Sequence, residues 1–218
     1  MFCVSIALAV NGHPVIGVIY APLLNQLFSA CKGQGAWLNE TTSLPLLGKA
    51  IGPMPKEAPK KCIFSCEWGK DRRDQPDSNL HRKIESFVNM AAEIGSRDGK
   101  GGMVHGVRSL GSATMDLAYT AMGSFDIWWE GGCWEWDVAA GICLLEEAGG
   151  LVTTANPPEG WENKKEIERV KLGGRLYLAI RPATDAKDGS ETGRQSQERV
   201  VREVWRRVRT LDYARPGV

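Results

Sequence analysis

The sequence predicts a mixed α/β fold, with an antiparallel sheet at the start of the chain and alternating strands and helices after about residue 100. Large apolar side chains occupy the even positions from Phe2 to Val10, which is the two-residue period of a strand. Asn11-Gly12 follows, and this pair favours the positive φ angles of a tight hairpin. After residue 100, short apolar runs alternate with segments of helical spacing, which indicates α/β organisation.

Length and composition are those of an ordinary folded protein. The chain has 218 residues, 43% of them hydrophobic, which is enough for one domain or two small ones. The formal net charge of +1 predicts no strongly charged partner for the chain as a whole. No apolar run reaches the ~18 residues of a membrane-spanning helix, and the first residues lack the basic segment of a signal peptide. We therefore expect a cytoplasmic protein without a membrane partner.

The first strand is expected to bury one face, since its large apolar side chains all point to the same side of the sheet. Residues 15–20 should pair back on it, and residues 26–31 and 36–38 continue the sheet. Nothing ahead of Met1 covers or pairs the first strand. Because domains seldom begin with an unprotected apolar strand, we expect the chain to be N-terminally truncated and to aggregate through this strand.

A connection and a helix follow. Residues 39–61 are rich in Pro, Lys and Gly, and residues 62–68 form a short candidate strand. The next segment has the spacing of an amphipathic helix, which Ser78 or Asn79 is suited to cap. Its expected buried face consists of Leu80, Ile84, Phe87, Val88, Ala91 and Ile94. Residues 95–102 are a glycine-rich break.

The remaining chain alternates between the two kinds of element. Strands are predicted at residues 105–110, 125–130, 151–154 and 175–181, and helices at residues 112–122 and 138–147. Residues 184–194 are polar and predict a mobile linker. We divide the chain into an antiparallel-sheet half at residues 1–100, an α/β half at residues 101–183, and a linker with a basic C-terminal helix at residues 184–218.

Basic residues are concentrated at the end of the chain. Residues 1–162 carry 13 basic and 18 acidic residues, whereas residues 163–218 carry 14 and 8. Residues 196–211 place Val200, Val204 and Trp205 at helical spacing, with the arginines largely elsewhere. This pattern is typical of a packed helix with a solvated basic face. We favour that interpretation over binding of nucleic acid or of a membrane through the arginines.

Cysteine and histidine spacing indicates neither a disulfide scaffold nor a zinc site. The six cysteines include no CxxC pair, and the three histidines stand far apart. We expect reduced thiols that are mostly buried.

Two helix starts are candidate sites. Gly111-Ser112-Ala113 follows an apolar strand and opens a helix, so its N–H groups are suited to bind an anion or a hydroxyl group. Asp137 stands directly before the next predicted helix, where it either caps that helix or holds a cation. For Ser112 the simpler alternative is likewise that it only caps its helix.

Tryptophans and carboxylates crowd together between residues 128 and 137. Glu130 ends one predicted strand, and Glu135 and Asp137 stand at the start of the next helix, among four tryptophans. Carboxylates at strand ends and helix starts on one edge of an α/β sheet meet at the crevice where such folds bind ligands. Aromatic packing accounts for the tryptophans, so we assign them to no site.

Several motifs together resemble one known family. Trp136-Asp137-Val138-Ala139-Ala140-Gly141, followed by Glu147-Ala148-Gly149-Gly150, is similar to the C-terminal signature of the inositol monophosphatase family. The ending of the chain, from Asp212 to Gly217, resembles the fungal branch of the family and its quinate-utilisation relatives. Other stretches occur in the order found in the family, among them Gly17-Val18-Ile19-Tyr20, Lys32-Gly33-Gln34-Gly35-Ala36 and Val107-Arg108-Ser109-Leu110-Gly111-Ser112-Ala113.

The resemblance implies a layered α+β sandwich of the sugar-phosphatase type that hydrolyses a phosphomonoester of inositol or a similar polyol with Mg²⁺. On the matched positions, Asp137 would be a metal ligand. The substrate would be bound by Gly111, Ser112, Ala113, Glu130 and Asp137. The resemblance also implies a homodimer.

Two acidic motifs of the family do not occur in the chain. Family members carry a Gly-Asp/Glu-Glu type motif and an Asp-Pro-Ile/Leu-Asp-Gly-Thr motif before the strand that begins here at Phe2, whereas these 218 residues contain no Asp-Pro dipeptide. With Asp137 as the single inherited ligand, the chain should bind Mg²⁺ poorly. We expect an incomplete, inactive fragment of a phosphatase; the alternative is a non-catalytic module that binds inositol phosphates or regulates another protein.

Overall fold

The structure is a computed structural model that describes residues 1–214. Arg215, Pro216 and Gly217, which belong to the fungal-type ending of the sequence, lie outside the described residues.

The chain opens with an antiparallel five-stranded sheet in the order β1-β2-β3-β4-β5. Asn11 and Gly12 have φ angles of 50° and 76° and join the first two strands, so the predicted hairpin is confirmed. The strands are β1 (Val4–Val10), β2 (His13–Ala21), β3 (Gln26–Cys31), β4 (Ala36–Leu38) and β5 (Thr42–Ser43). The last of them lies in the segment predicted to be only a connection.

The expectation that β1 buries its apolar face is wrong. Val4, Ile6, Leu8 and Val10 are 47%, 63%, 52% and 48% exposed. Ser5, on the opposite face, donates from its Oγ to the carbonyl of Trp136 at 3.3 Å. Helix packing therefore takes place on the small-residue face, and no described element covers the apolar one.

The second sheet is mixed and has the order β7-β6-β8-β10-β9. Its first three strands are parallel, and β10 is antiparallel to both β8 and β9. The strands are β6 (Ile63–Cys66), β7 (Gly106–Arg108), β8 (Ile127–Gly131), β9 (Leu151–Thr153) and β10 (Leu176–Ile180). The helices are α1 (Asn79–Ala91), α2 (Ala113–Met122), α3 (Glu135–Glu147) and α4 (Gly193–Trp205). A mixed α/β fold is thus confirmed.

Two helices lie between the sheets. Phe28 of the first sheet, Leu117 of α2, Ile142 of α3 and Trp128 of the second sheet share one buried core. Trp129, the neighbour of Trp128, points to the other face, where a second core is formed with α4. The layers are therefore sheet, helix pair, sheet, and outer helices.

Two sequence motifs are joined by one side chain of the helix layer. Glu147, at the end of α3, accepts hydrogen bonds on Oε2 from the N–H groups of Gly33 and Gly35, each at 2.9 Å. Gly33 and Gly35 have φ angles of 80° and 79°, which glycine adopts without strain. The Gly-Gln-Gly turn is thereby fixed to the helix that leads into Gly149-Gly150.

Most of the predicted buried face of α1 is wrong, although Phe87 is half-buried and packs against the core. Ile84 and Val88 are exposed, and the buried face consists of Asn79, Lys83, Ser86, Asn89 and Met90. This face packs against backbone that needs hydrogen-bond partners: Asn89 donates to the carbonyl of Arg207 at 2.7 Å, and Ser86 accepts from the N–H of Arg209 at 2.7 Å. Polar side chains satisfy these groups where apolar ones would leave them unpaired. Ser78 caps the helix, as predicted.

The C-terminal helix differs from its predicted bounds. Thr192 caps α4, which begins within the predicted linker and ends at Trp205. Val208 and Leu211 are nevertheless buried in the core. The arginines of this region pair with carboxylates: Arg199 with Glu191, Arg202 with Glu198, Arg206 and Arg207 with Glu203, and Arg209 with Asp77 and Glu85. The solvated basic face is therefore neutralised by the protein's own acids.

All six cysteines are free thiols, and Cys62, Cys66, Cys133 and Cys143 are buried, as predicted. Burial raises the pKa of the Cys66 thiol to about 12. Across residues 1–214, no helix has the length and apolar character needed to cross a membrane. The proposed boundaries at residues 100 and 183 stay predictions.

Candidate active site

A cavity of about 500 Å³ lies where β6 and β8 end and α2 and α3 begin. It brings together all five residues predicted for the site: Gly111, Ser112, Ala113, Glu130 and Asp137. It also contains residues that the sequence analysis did not select: Glu67, Trp68, Gly69, Lys70, Arg72, Ser109, Thr114 and Cys133.

The start of α2 forms one wall of the cavity. Gly111 has a φ of 76°, and Ser112 caps the helix by accepting from the N–H of Met115 at 3.4 Å. Ser112 therefore caps α2, as the simpler alternative predicted. Capping does not exclude ligand binding, because the remaining N–H groups of the first turn still carry the positive end of the helix dipole.

The start of α3 lies beside the start of α2, and it differs from the prediction. The helix begins at Glu135 rather than after Asp137, and Trp134 is its N-cap residue. Asp137 therefore lies within the first turn, where its Oδ2 accepts from the N–H of Trp134 at 2.9 Å. Lys70 Nζ is 3.6 Å from the same oxygen. Thr114 Oγ1 donates to the carbonyl of Asp137 at 2.7 Å and holds the two helix starts together.

Glu130, at the end of β8, is the deepest of the predicted residues. Its Oε1 lies 2.5 Å from Lys83 Nζ, and both side chains are 2% exposed. The N–H of Gly131 donates to the same oxygen at 2.9 Å. Burial raises the pKa of Glu130 to about 7, while Lys83 acts in the opposite direction.

Glu67 is a site residue that the sequence analysis missed. It directly follows β6, and its Oε1 and Oε2 accept from the N–H of Leu110 at 2.6 Å and from Ser109 Oγ at 2.9 Å. These bonds fix the turn that leads to Gly111. The criterion that selected Glu130, a carboxylate at the end of a predicted strand, applies equally to Glu67.

Trp128 and Trp129 pack in the two cores, whereas Trp136 is 62% exposed. Trp128 stacks on Tyr177 in the core, with ring centroids 6.4 Å apart. Trp134 stacks on Trp136 at 5.3 Å, and the guanidinium of Arg175 lies 4.0 Å from the centre of the Trp134 ring. None of these contacts requires a ligand.

The described residues do not by themselves fit a Mg²⁺ ion. Mg²⁺ demands a nearly octahedral set of oxygen ligands and is usually held by more than one carboxylate or phosphate. Within residues 1–214, no group of three or more His, Cys, Asp or Glu side chains is arranged to hold a metal. Both oxygens of Glu67 and Oε1 of Glu130 accept from internal donors, and a lysine ammonium already lies beside Asp137.

The layers and the cavity define a class of layered α/β sandwich with a polar site at the junction of strand ends and helix starts. The model of the inositol monophosphatase family matches residues 1–209, so the chain belongs to this family. This confirms the resemblance seen in the motifs.

Fungal proteins are among its most similar relatives. The chain is 72% identical to the quinic acid degradation cluster protein x of Neurospora crassa and 75% identical to protein qutG of Emericella nidulans. These matches cover 100% and 99% of this chain but 62% and 64% of the relatives. Inositol monophosphatase 2 of Saccharomyces cerevisiae is 37% identical over 94% of the chain and 61% of that protein.

Solved structures share the fold. The inositol monophosphatase of Anabaena superposes with a TM-score of 0.64 at 30% identity, covering 94% of this chain and 66% of that one. The suhB protein of Bartonella henselae superposes with a TM-score of 0.61 at 27% identity, covering 94% and 62%. The layered sandwich predicted from the resemblance is thus confirmed, and the chain spans less than two thirds of the length of the curated relatives described above.

Proposed function

We propose that this chain is the substrate-binding part of a Mg²⁺-dependent phosphatase that acts on inositol monophosphate or a similar polyol phosphate. The observation that carries the proposal is the convergence of the α2 start, Glu130 and Asp137 on one cavity. A phosphate ester of a polyol presents an anion and several hydroxyl groups, and these need N–H or cationic donors on one side and carboxylate acceptors on the other.

The cavity offers both kinds of group. Lys70 and Arg72 add positive charge to the cavity lining that contains the α2 start, and Lys70 lies beside Asp137. Glu130 and Asp137 provide carboxylates in the same lining. Family membership supports phosphatase chemistry, and the name of the Neurospora relative makes hydroxylated ring acids of the quinic type a second class of polyol to test.

We also propose that the 218 residues alone do not hydrolyse phosphate esters. The support is the donor set: Asp137 is a single carboxylate beside Lys70, and it cannot replace most of the water shell of Mg²⁺. An active enzyme would need further carboxylates from a segment like that which makes the curated relatives longer.

The test is Mg²⁺-dependent release of phosphate from inositol 1-phosphate. The chain is assayed alone and fused to the part of the Emericella relative that it does not cover. We expect release only from the fusion. Asp137→Ala in the fusion should lower kcat/KM by roughly a hundredfold, a scale typical of removing one group that stabilises developing charge. Glu162→Ala, at an exposed carboxylate away from the cavity, is the matched control and should have no effect.

Two outcomes would contradict the proposal. Equal rates for the fusion and its Asp137→Ala variant would remove the role of Asp137. Full activity of the 218 residues alone would show that they are not an incomplete enzyme.

The second candidate is a module that binds polyol phosphates without hydrolysing them. It is favoured by the lack of a metal-holding group within residues 1–214, in a cavity that nevertheless carries Lys70 and Arg72. Calorimetric titration with inositol 1-phosphate distinguishes the candidates: this module binds equally well with and without Mg²⁺, and no fusion makes it active.

A homodimer and a cytoplasmic location remain part of the proposal. Sedimentation tests the homodimer, and microscopy of a tagged protein tests the location.

A further inference from the structure

Lys83 and Glu130 form an ion pair that is almost completely buried. Lys83 lies on α1, and its ammonium contacts Glu130 Oε1 at 2.5 Å and the carbonyl of Glu67 at 2.9 Å. Both charged side chains are 2% exposed. Removing two charges from water costs several kcal/mol per ion, and an apolar pair of similar volume is often at least as stable. Stability alone therefore gives no reason for a lysine at this position.

The hydrogen bonds of Glu130 are distributed unevenly. Oε1 accepts from both Lys83 Nζ and the N–H of Gly131, whereas Oε2 is buried and has no partner within residues 1–214. An unpaired buried acceptor is costly and rare in folded proteins. Because Glu130 lines the cavity, a hydroxyl group of a ligand is the kind of donor that would satisfy Oε2.

Lys83 opposes the other influences on the charge of Glu130. Burial favours the neutral form of this carboxyl, and the nearby charge of Glu67 acts in the same direction. A neutral carboxylic acid would be a weaker acceptor than a carboxylate. The titratable groups around Glu130 are Lys83 of α1, Asp116 of α2, Cys66 of β6, Glu67, Cys133 and Tyr213.

We propose that Lys83 is a positioning residue that favours the carboxylate form of Glu130, binds its Oε1, and leaves Oε2 free to accept a hydrogen bond from a hydroxyl group of a polyol ligand. This inference rests on the proposed function, since it requires a hydroxylated ligand in the cavity. Lys83 is not among the residues that line the cavity, and its ammonium contacts two residues that do, Glu130 and Glu67.

The test is calorimetric titration of the 218-residue chain with inositol 1-phosphate between pH 6 and pH 9. Lys83→Met should weaken binding about tenfold at pH 7, which is ~1.4 kcal/mol, and the loss should shrink as the pH rises and Glu130 ionises. Lys83→Arg retains the positive charge and should restore most of the affinity. Arg181→Met is the matched control, because it breaks another buried ion pair, with Asp126, away from the cavity. It should lower the melting temperature without changing the affinity of the folded protein.

A double-mutant cycle shows whether Lys83 acts through Glu130. Glu130→Gln should bind weakly at every pH, and adding Lys83→Met should cause no further loss. The double variant also removes both buried charges, so it stays informative if Lys83→Met alone does not fold. The proposal is overturned if folded Lys83→Met binds inositol 1-phosphate as tightly as the unsubstituted chain. It is also overturned if Arg181→Met weakens binding by the same factor as Lys83→Met, or if Lys83→Met still weakens binding in the Glu130→Gln background. Failure of the unsubstituted chain to bind any polyol phosphate would overturn the proposed function as well.

Discussion

Replacing Gly17 by alanine tests how closely β2 lies against α3. A Cβ atom at this position would lie 2.5 Å from the carbonyl oxygen of Ala140 and 3.0 Å from its Cα. Both contacts are with helix backbone, so no side chain can rotate away. The clash is relieved only if the first sheet and α3 move apart, which loosens the core formed by Ile19, Phe28 and Ile142.

The expected cost follows from this contact. Overpacking a well-packed interface costs about 1–3 kcal/mol. At ~2–4 °C per kcal/mol for a chain of this size, a cost of about 2 kcal/mol lowers the melting temperature by roughly 4–8 °C. Alanine also reduces the entropy of the unfolded chain, which offsets about 0.4–1 kcal/mol but does not reverse the sign.

The assay is thermal unfolding followed by circular dichroism, with urea unfolding as a second measurement. Gly69→Ala is the control, because a Cβ at Gly69 meets nothing within 4 Å and its φ lies outside the left-handed region. A melting temperature for Gly17→Ala equal to that of Gly69→Ala would refute the close approach of β2 and α3.

Two further predictions concern the exposed strand and a buried acid. Ile6→Lys should reduce aggregation of the chain, measured by light scattering, without lowering its melting temperature, because Ile6 is 63% exposed; Ile19→Lys, at a fully buried position, should unfold the protein. Burial raises the pKa of Asp116 to about 8. The folded state therefore binds the carboxyl proton of Asp116 more tightly than the unfolded state does. The stability that this protonation contributes is lost as the pH rises from about 4 to about 8. Asp116→Asn should therefore show a smaller fall in melting temperature between pH 5 and pH 8, and an unchanged fall would contradict this assignment.

Local signals in the sequence predicted much of the fold. The Asn11-Gly12 hairpin, the Ser112 cap and the pairing of β1 with β2 depend on residues close together in the chain, and the structure contains all three. The motif around Asp137 identified the family, and the five site residues selected from that resemblance lie in one cavity.

Faces of elements were harder to predict because burial depends on what packs from a distance. Periodicity correctly showed that the apolar residues of β1 share a face, yet α3 packs on the other one. On α1 the same criterion selected Ile84 and Val88, but the chain places backbone of the C-terminal segment against the polar face instead. Hydrophobicity cannot anticipate unpaired N–H and carbonyl groups that come from more than a hundred residues away.

The sequence by itself determined the class of fold, the order of most elements and the candidate residues Gly111, Ser112, Ala113, Glu130 and Asp137, because these depend on turn chemistry, periodicity and motif identity. Only the tertiary structure decided how the candidates are supported. Lys83 lies 47 residues from Glu130 in the sequence, and Glu67 lies 43 from Leu110, so no local pattern links them. Their pairing arises where α1 and the end of β6 pack against the end of β8, because a buried charge without a partner would be costly there.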